Sequence, residues 1–177
     1  MTVKEYLYDT EESRCKRELH YGRVSEPPAP FFPHQSLVLR VARILASHVD
    51  SRRLGQVAVA PVDVILDAEQ HLIVQPDVLF VSQSRASIVR DQVWGAPDLV
   101  VEVLSVRNHL FDRGQKLGWY HKYGVRECWL IDRGEKQVWV GNLTAAPFSE
   151  QIAKGSATIR SMVLPDLFVS AWSIFQE

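Results

Sequence analysis

Apolar residues recur at helical spacing after His34, at Leu37, Val38, Val41, Ile44 and Leu45, with Arg40, Arg43 and Ser47 on the opposite side. This pattern predicts a helix over residues 34–49 with one buried stripe. The period then changes to two. Val57, Val59, Val62 and Val64 alternate and predict a strand over 56–66, Asp67-Ala68-Glu69-Gln70 reads as a hairpin turn, and a second strand follows over 72–81. Two adjacent antiparallel strands are therefore expected. Residues 82–91 are polar and suit a short helical turn, after which Gly95-Ala96-Pro97-Asp98 punctuates the chain before the run Leu99-Val100-Val101-Glu102-Val103-Leu104.

A helix is expected over 107–123, closed by Gly124 at the usual C-terminal glycine position. Strands over 127–132 and 137–140 flank an Arg133-Gly134 turn and carry Trp129 and Trp139. Beyond them lie a polar stretch over 144–155, a strand over 157–163 and a short apolar tail over 164–175. Residues 1–33 are polar and then proline-rich, which suits an N-terminal arm with one short strand near 19–24. This order of elements predicts an α/β domain with a mixed β-sheet flanked by helices. At 177 residues the chain is long enough for one core and short for two, so residues 1–177 read as a single domain.

Composition narrows the function. Cys15 and Cys128 are the two cysteines, too few for a disulfide framework or a zinc cluster, which points to a reducing, cytoplasmic setting. No apolar run approaches the roughly 20 residues of a membrane span, and the N-terminus lacks the apolar core of a signal peptide. A net charge of -1 with a pI near 6.6 provides no global basic field, so any nucleic-acid surface is local.

Glu102 is the most informative residue, because a carboxylate in an otherwise apolar central strand costs several kcal/mol unless a metal, a cation or hydrogen bonds compensate. Asp77 interrupts the upstream strand after Pro76, and Lys116 lies on the following helix in one stripe with Asp112 and Tyr120. Adjacent strands lie about 4.8 Å apart, so Asp77 and Glu102 on one face can share a hard ion such as magnesium. That ion neutralises a phosphodiester and acidifies the attacking water. Lys116 adds a compact cation able to orient the water or stabilise the transition state.

Each residue also has a plainer reading. Lys116 has the spacing of an exposed partner of Asp112, Asp77 that of a turn aspartate, and Glu102 suits a buried pair with Arg107 or Arg126. His34 and Gln35 open the first helix and face the same cleft or simply cap it, and Glu18 lies within reach of the site or in solvent. Asp98 precedes Glu102 by four residues, about 13 Å in an extended strand, and is assigned to a turn. His109 and His121 are twelve residues apart and do not form an i, i+4 zinc pair. If Asp77 and Glu102 converge without a metal, their repulsion is expected to raise at least one carboxyl pKa.

Several blocks occur in order: Glu18-Leu19-His20-Tyr21-Gly22, His34-Gln35, Val74-Gln75-Pro76-Asp77 through Ser82, Gly95-Ala96-Pro97-Asp98 through Ser105 with Glu102, Asp112 with Lys116 and Tyr120, Gly124 through Asp132, and Leu164-Pro165-Asp166-Leu167. On these the chain resembles the Uma-two family of restriction endonucleases, a branch of the PD-(D/E)XK nuclease superfamily. The resemblance implies a restriction-endonuclease-like fold, with Pro76-Asp77 as the first half-motif and Glu102 as the acid of the second. Leu104 stands where the superfamily's usual lysine would be, and the resemblance moves that role to Lys116. It further implies a magnesium-dependent DNA endonuclease, with manganese as a substitute, whose catalytic residues are Asp77, Glu102 and Lys116. The metal ligands are then Asp77 and Glu102, and Glu18, His34, Gln35 and Asp112 are auxiliary. Cutting both strands of a duplex is simplest with a homodimer. The alternatives are a noncatalytic nuclease-fold domain that binds nucleic acid or protein, and an oligomeric scaffold that uses exposed tryptophans.

Overall fold

Pro33 in the first turn and a left-handed Arg53 at the end bound the longest helix, because proline needs no amide partner in a first turn and an αL residue turns its N–H back onto the last carbonyls. The structure, a computed structural model, describes residues 1–8, 16–104, 111–145 and 147–176, with backbone alone over 111–113. In order these form α1 Val3–Leu7, β1 Glu18–His20, β2 Arg23–Ser25, α2 Phe32–Arg52, β3 Gly55–Val59, β4 Val64–Asp67, β5 Leu72–Val74, β6 Val78–Ser82, a 3-10 turn Gln83–Ile88, β7 Val93–Trp94 and β8 Leu99–Leu104. Then follow α3 Phe111–Tyr123, β9 Glu127–Asp132, β10 Gln137–Asn142, β11 Ser149–Lys154, β12 Thr158–Ile159, β13 Val169–Ser170 and α4 Ala171–Phe175.

The main sheet has the order β11-β10-β9-β8-β6-β3 and is mixed, with β8 and β9 parallel and the other neighbours antiparallel. Its two faces are set by alternation. Leu99, Val101 and Val103 of β8 join Val78 and Phe80 of β6 under the α2 stripe of Leu37, Val41, Leu45 and Val49. Val100, Leu79 and Val81 face the other way, toward Trp119 and Tyr120 of α3. Each fully buried Leu or Val here contributes about 1.5–3 kcal/mol relative to exposure. Asp77 shares the parity of Leu79, and Glu102 that of Val100, so the alternation turns both carboxylates toward α3.

The expected hairpin of two long strands is split between two sheets. Residues 56–66 break into β3 and β4, and 72–81 into β5 and β6; β3 pairs with β6 in the main sheet, and β4 with β5 in a second one. Pro61 and Pro76 lie at the two breaks, where a missing amide hydrogen cannot extend a ladder. The second sheet, order β2-β1-β5-β4-β7, is also mixed.

The N-terminal arm holds more structure than one strand. α1 starts with a reciprocal capping box between Thr2 and Glu5, and the predicted strand is a β1–β2 hairpin turning at Tyr21 and Gly22, both at positive φ. β1 pairs with β5, which brings the arm against the strand leading to Asp77. The polar stretch 144–155 contains β11, an edge strand whose buried residue is Ala153, so hydrophobic alternation does not reveal it. Conversely, the strand expected over 157–163 shrinks to the two-residue β12, paired with β13 of the tail. The helix expected over 107–123 is α3; 107–110 lie outside the described residues. Among the described residues no helix is long and apolar enough to cross a membrane.

Candidate active site

Antiparallel pairing of Val78 with Val101 sets Asp77 beside Glu102 at the ends of β6 and β8. Asp77 Oδ2 accepts the Val103 N–H at 2.8 Å and lies 3.4 Å from His34 Nε2, while Oδ1 accepts from Lys16 Nζ at 3.0 Å. Glu102 Oε1 accepts from the Tyr120 hydroxyl at 2.5 Å and from Lys116 Nζ at 3.1 Å, and its Oε2 lies 4.0 Å from Lys16 Nζ. One oxygen of each carboxylate is thus held by the fold, and the other faces the same ammonium.

Glu18 completes the cluster. Its Oε1 accepts from Lys116 Nζ at 2.8 Å and from the Gln75 N–H at 2.8 Å, and its Oε2 is 2.9 Å from His20 Nε2. Gln75 is itself tied down, since its Oε1 accepts the Arg17 N–H at 3.1 Å and its side-chain amide donates to Asp63 at 2.9 Å. The hairpin that carries Glu18 and the strand that leads to Asp77 are therefore fastened through one residue.

Burial pushes the Asp77 carboxyl upward, but Lys16, His34 and the Val103 amide outweigh it and hold the group well below its ordinary range. Glu18 behaves alike: burial raises it, and Lys116, His20 and Lys16 prevail. The rise expected of at least one of Asp77 and Glu102 is thus not carried by Asp77, because Lys16 lies between it and Glu102 and His34 lies beside it. Burial acts to lower Lys116, yet Glu102 and Glu18 raise it well above the usual lysine value. Burial and then Glu102 and Glu18 push the Tyr120 phenol far up. His34 Nε2 sits between Val103 O at 3.1 Å and Asp77 Oδ2, two acceptors, so this nitrogen carries a hydrogen. Its pKa is raised because Asp77 and Val103 O outweigh burial, which lowers it.

The geometry brings together Asp77, Glu102, Lys116, Glu18 and His34. Gln35 is exposed and among the described residues makes no hydrogen bond to them, its amide donating to Phe31 O at 3.2 Å in the first turn of α2. The Asp112 side chain lies outside the described residues, as do Arg107, His109 and Cys15. Lys116 points inward to carboxylates, and the arginine weighed for Glu102, Arg126, instead pairs with Asp98 at 3.1 Å. Asp98 precedes β8 as expected but is fully buried, accepting also from the Ser82 N–H at 2.8 Å. His121 Nδ1 lies 3.0 Å from Leu143 O, away from the cluster.

Two members escape sequence reasoning. Tyr120 had a usable signal, four residues after Lys116 on one helical face. Lys16 had none, since it sits in a stretch of alternating charges that reads as solvated.

Among the described residues, no group of three or more His, Cys, Asp or Glu gathers for a metal ion. A magnesium ion nevertheless requires only one or two carboxylates, with waters and phosphate oxygens completing its shell. The oxygen-only pair Asp77 Oδ1 and Glu102 Oε2, already facing one cation, fits such an ion.

The family described as "Uma2: Putative restriction endonuclease" matches residues 3–171. The chain is also 27% identical over 135 residues to "Uncharacterized protein sll1609" of Synechocystis sp. (strain ATCC 27184 / PCC 6803 / Kazusa), a match spanning 75% of each protein. Its fold is shared with a protein from Anabaena variabilis ATCC 29413 described as a "putative nuclease belonging to DUF820". That likeness has a TM-score of 0.82 over 99% of this chain and 97% of the other, at 19% identity.

Proposed function

This chain belongs to the Uma2 family, and from that premise we propose that it is a metal-dependent endonuclease hydrolysing phosphodiester bonds of DNA, with Asp77 and Glu102 as ligands of Mg2+ or, in its place, Mn2+. The observation that carries this reading is the pair of inward oxygens, Asp77 Oδ1 and Glu102 Oε2, converging on one cation while their partner oxygens are fastened by the fold. When bound, the ion neutralises phosphate charge and acidifies an attacking water.

The protein's own contribution is positional. The Val103 amide and His34 hold Asp77, Tyr120 holds Glu102, and Glu18 with its Gln75 bond presents Lys116 beside Glu102. Lys116, ion-paired to two carboxylates, serves as a charged donor to a non-bridging phosphate oxygen. Two such chains related by a twofold axis would cut both strands, a homodimer that light scattering tests.

A second reading has its own observation. Lys16 already neutralises both acids, as in a noncatalytic binding domain that keeps the cluster for structure. Supercoiled-plasmid cleavage in Mg2+ or Mn2+ separates the two, with wild type, Asp77→Ala, Glu102→Ala and Lys116→Ala purified identically. Nicking by wild type alone supports the nuclease. Retained cleavage in Glu102→Ala would remove the site assignment, and DNA binding without cleavage in wild type favours the second reading.

A further inference from the structure

Each acid of the cluster divides its two oxygens. Asp77 commits Oδ2 to the Val103 amide and His34, and Glu102 commits Oε1 to Tyr120 and Lys116. The remaining two, Asp77 Oδ1 and Glu102 Oε2, lie 3.0 and 4.0 Å from the Lys16 ammonium. They are the oxygens a divalent ion would use, so the ammonium and the ion compete for one place.

We propose that Lys16 is the resident counter-cation of this site, excluded when a divalent ion binds, so that the protein's affinity for that ion is set in part by the cost of expelling its own lysine. The inference rests on the reading of Asp77 and Glu102 as metal ligands. Neither two bound carboxylates nor a nearby lysine would by itself create this coupling; it arises because the ammonium spans the two uncommitted oxygens.

Expulsion requires no rearrangement of the fold. The next residue is pinned, its N–H donated to Gln75 Oε1 at 3.1 Å and its carbonyl accepting from the Tyr6 hydroxyl, and Glu18 beyond it lies in β1. The Lys16 side chain retains 21% exposure, which provides a way outward through its own torsions. Once displaced, the ammonium stays within one side-chain length of the acids. A DNA phosphate bound there offers it a replacement anion, so DNA strengthens ion binding in the wild type.

Without the ammonium, Asp77 Oδ1 and Glu102 Oε2 face each other with no cation between them until an ion arrives, which raises the site's affinity for that ion. The test is titration of the full chain with Mn2+ in the absence of nucleic acid, following free ion by electron paramagnetic resonance. Wild type, Lys16→Met, Lys16→Arg and the double variant Lys16→Met with Asp77→Asn are compared. Lys16→Met is expected to bind Mn2+ about tenfold more tightly than wild type, about 1.4 kcal/mol. Lys16→Arg is expected to bind no more tightly than wild type, and the double variant to lose the site.

Equal or weaker binding by Lys16→Met, with the double variant still losing the site, would overturn the role of Lys16 and leave the metal reading intact. No saturable binding by any variant would overturn both. Amine acetylation read by mass spectrometry supplies a measurement on the unaltered protein. Saturating Mn2+ should increase labelling of Lys16 several-fold, and unchanged labelling with the site occupied would sink the proposal even if Lys16→Met does not fold.

Discussion

Tyr120 and Lys116, one turn apart on α3, converge on the same oxygen of Glu102, the phenol donating at 2.5 Å and the ammonium at 3.1 Å. The i, i+4 spacing places both donors on the face that covers β8, and Glu102 is the polar residue beneath them. A buried carboxylate is thereby held by two donors from one helix, which leaves its other oxygen oriented toward the Asp77 side of the cluster. Removing the hydroxyl in Tyr120→Phe leaves that oxygen with Lys116 alone. The variant should lose about 1–3 kcal/mol of stability in urea denaturation. Under the proposed function it should also reduce plasmid nicking less than Glu102→Ala does, because the ligand remains while its orientation loosens.

Asp77→Asn should destabilise the protein in EDTA. Mutual repulsion of the acids would predict the reverse, but Asp77 is buried, accepts from Lys16 and the Val103 amide and lies beside His34, so neutralising it removes the nearest counter-ion of Lys16 and weakens each contact. A loss of about 3 kcal/mol, the lower end for breaking a buried pair, is expected by denaturant titration. An increase in stability would restore the repulsion argument.

Asp98 predicts an acid-dependent contribution to stability away from the cluster. Burial raises its carboxyl, but the Ser82 amide, Arg126 and Arg85 outweigh this and hold it below 3.8. A group with a depressed folded pKa binds fewer protons folded than unfolded, so its stabilisation is present above the unfolded value and lost as pH falls through the folded one. Asp98→Asn should be less stable at neutral pH. Its denaturation free energy should also fall less steeply than that of wild type as pH drops through and below the ordinary aspartate range. Parallel slopes would show that Asp98 does not carry this dependence.

Gly55 opens β3 where the backbone passes close to β6. A Cβ built there would meet Val81 O at 2.0 Å and the Ser82 Cα at 2.8 Å, both backbone atoms that cannot swing aside. Gly55→Ala should therefore cost about 2 kcal/mol or more, measured by chemical denaturation. Because β3 is the edge of the main sheet, the loss should leave near-native helical circular dichroism below the transition.

Local periodicity along the chain sufficed for the parts of this protein that depend on which side of an element is buried. The stripe from Leu37 to Val49 fixed the inner face of α2, and the lone carboxylate in the apolar run 99–104 marked Glu102, with Lys116 on the helix that follows; that Asp77 shares its face came from the β6–β8 register. The stripe and the lone carboxylate are each read within ten or so residues, because burial of one face is a local demand on sequence. Tertiary structure alone decided the rest. Pro61 and Pro76 break two apparently continuous strands, but which sheet each half joins depends on what the β1–β2 hairpin offers as a partner. β11 carries no alternation because both its faces are largely exposed, and its place comes from pairing with β10. The cluster itself is the clearest case: Lys116 meets Glu18 across 98 residues of sequence and Lys16 meets Asp77 across 61, while Glu102 is only 14 from Lys116. A charge in a polar arm has no periodic partner to betray it, and only the docking of that arm on β5 turns Lys16 and Glu18 from solvated residues into counter-ions of a buried site.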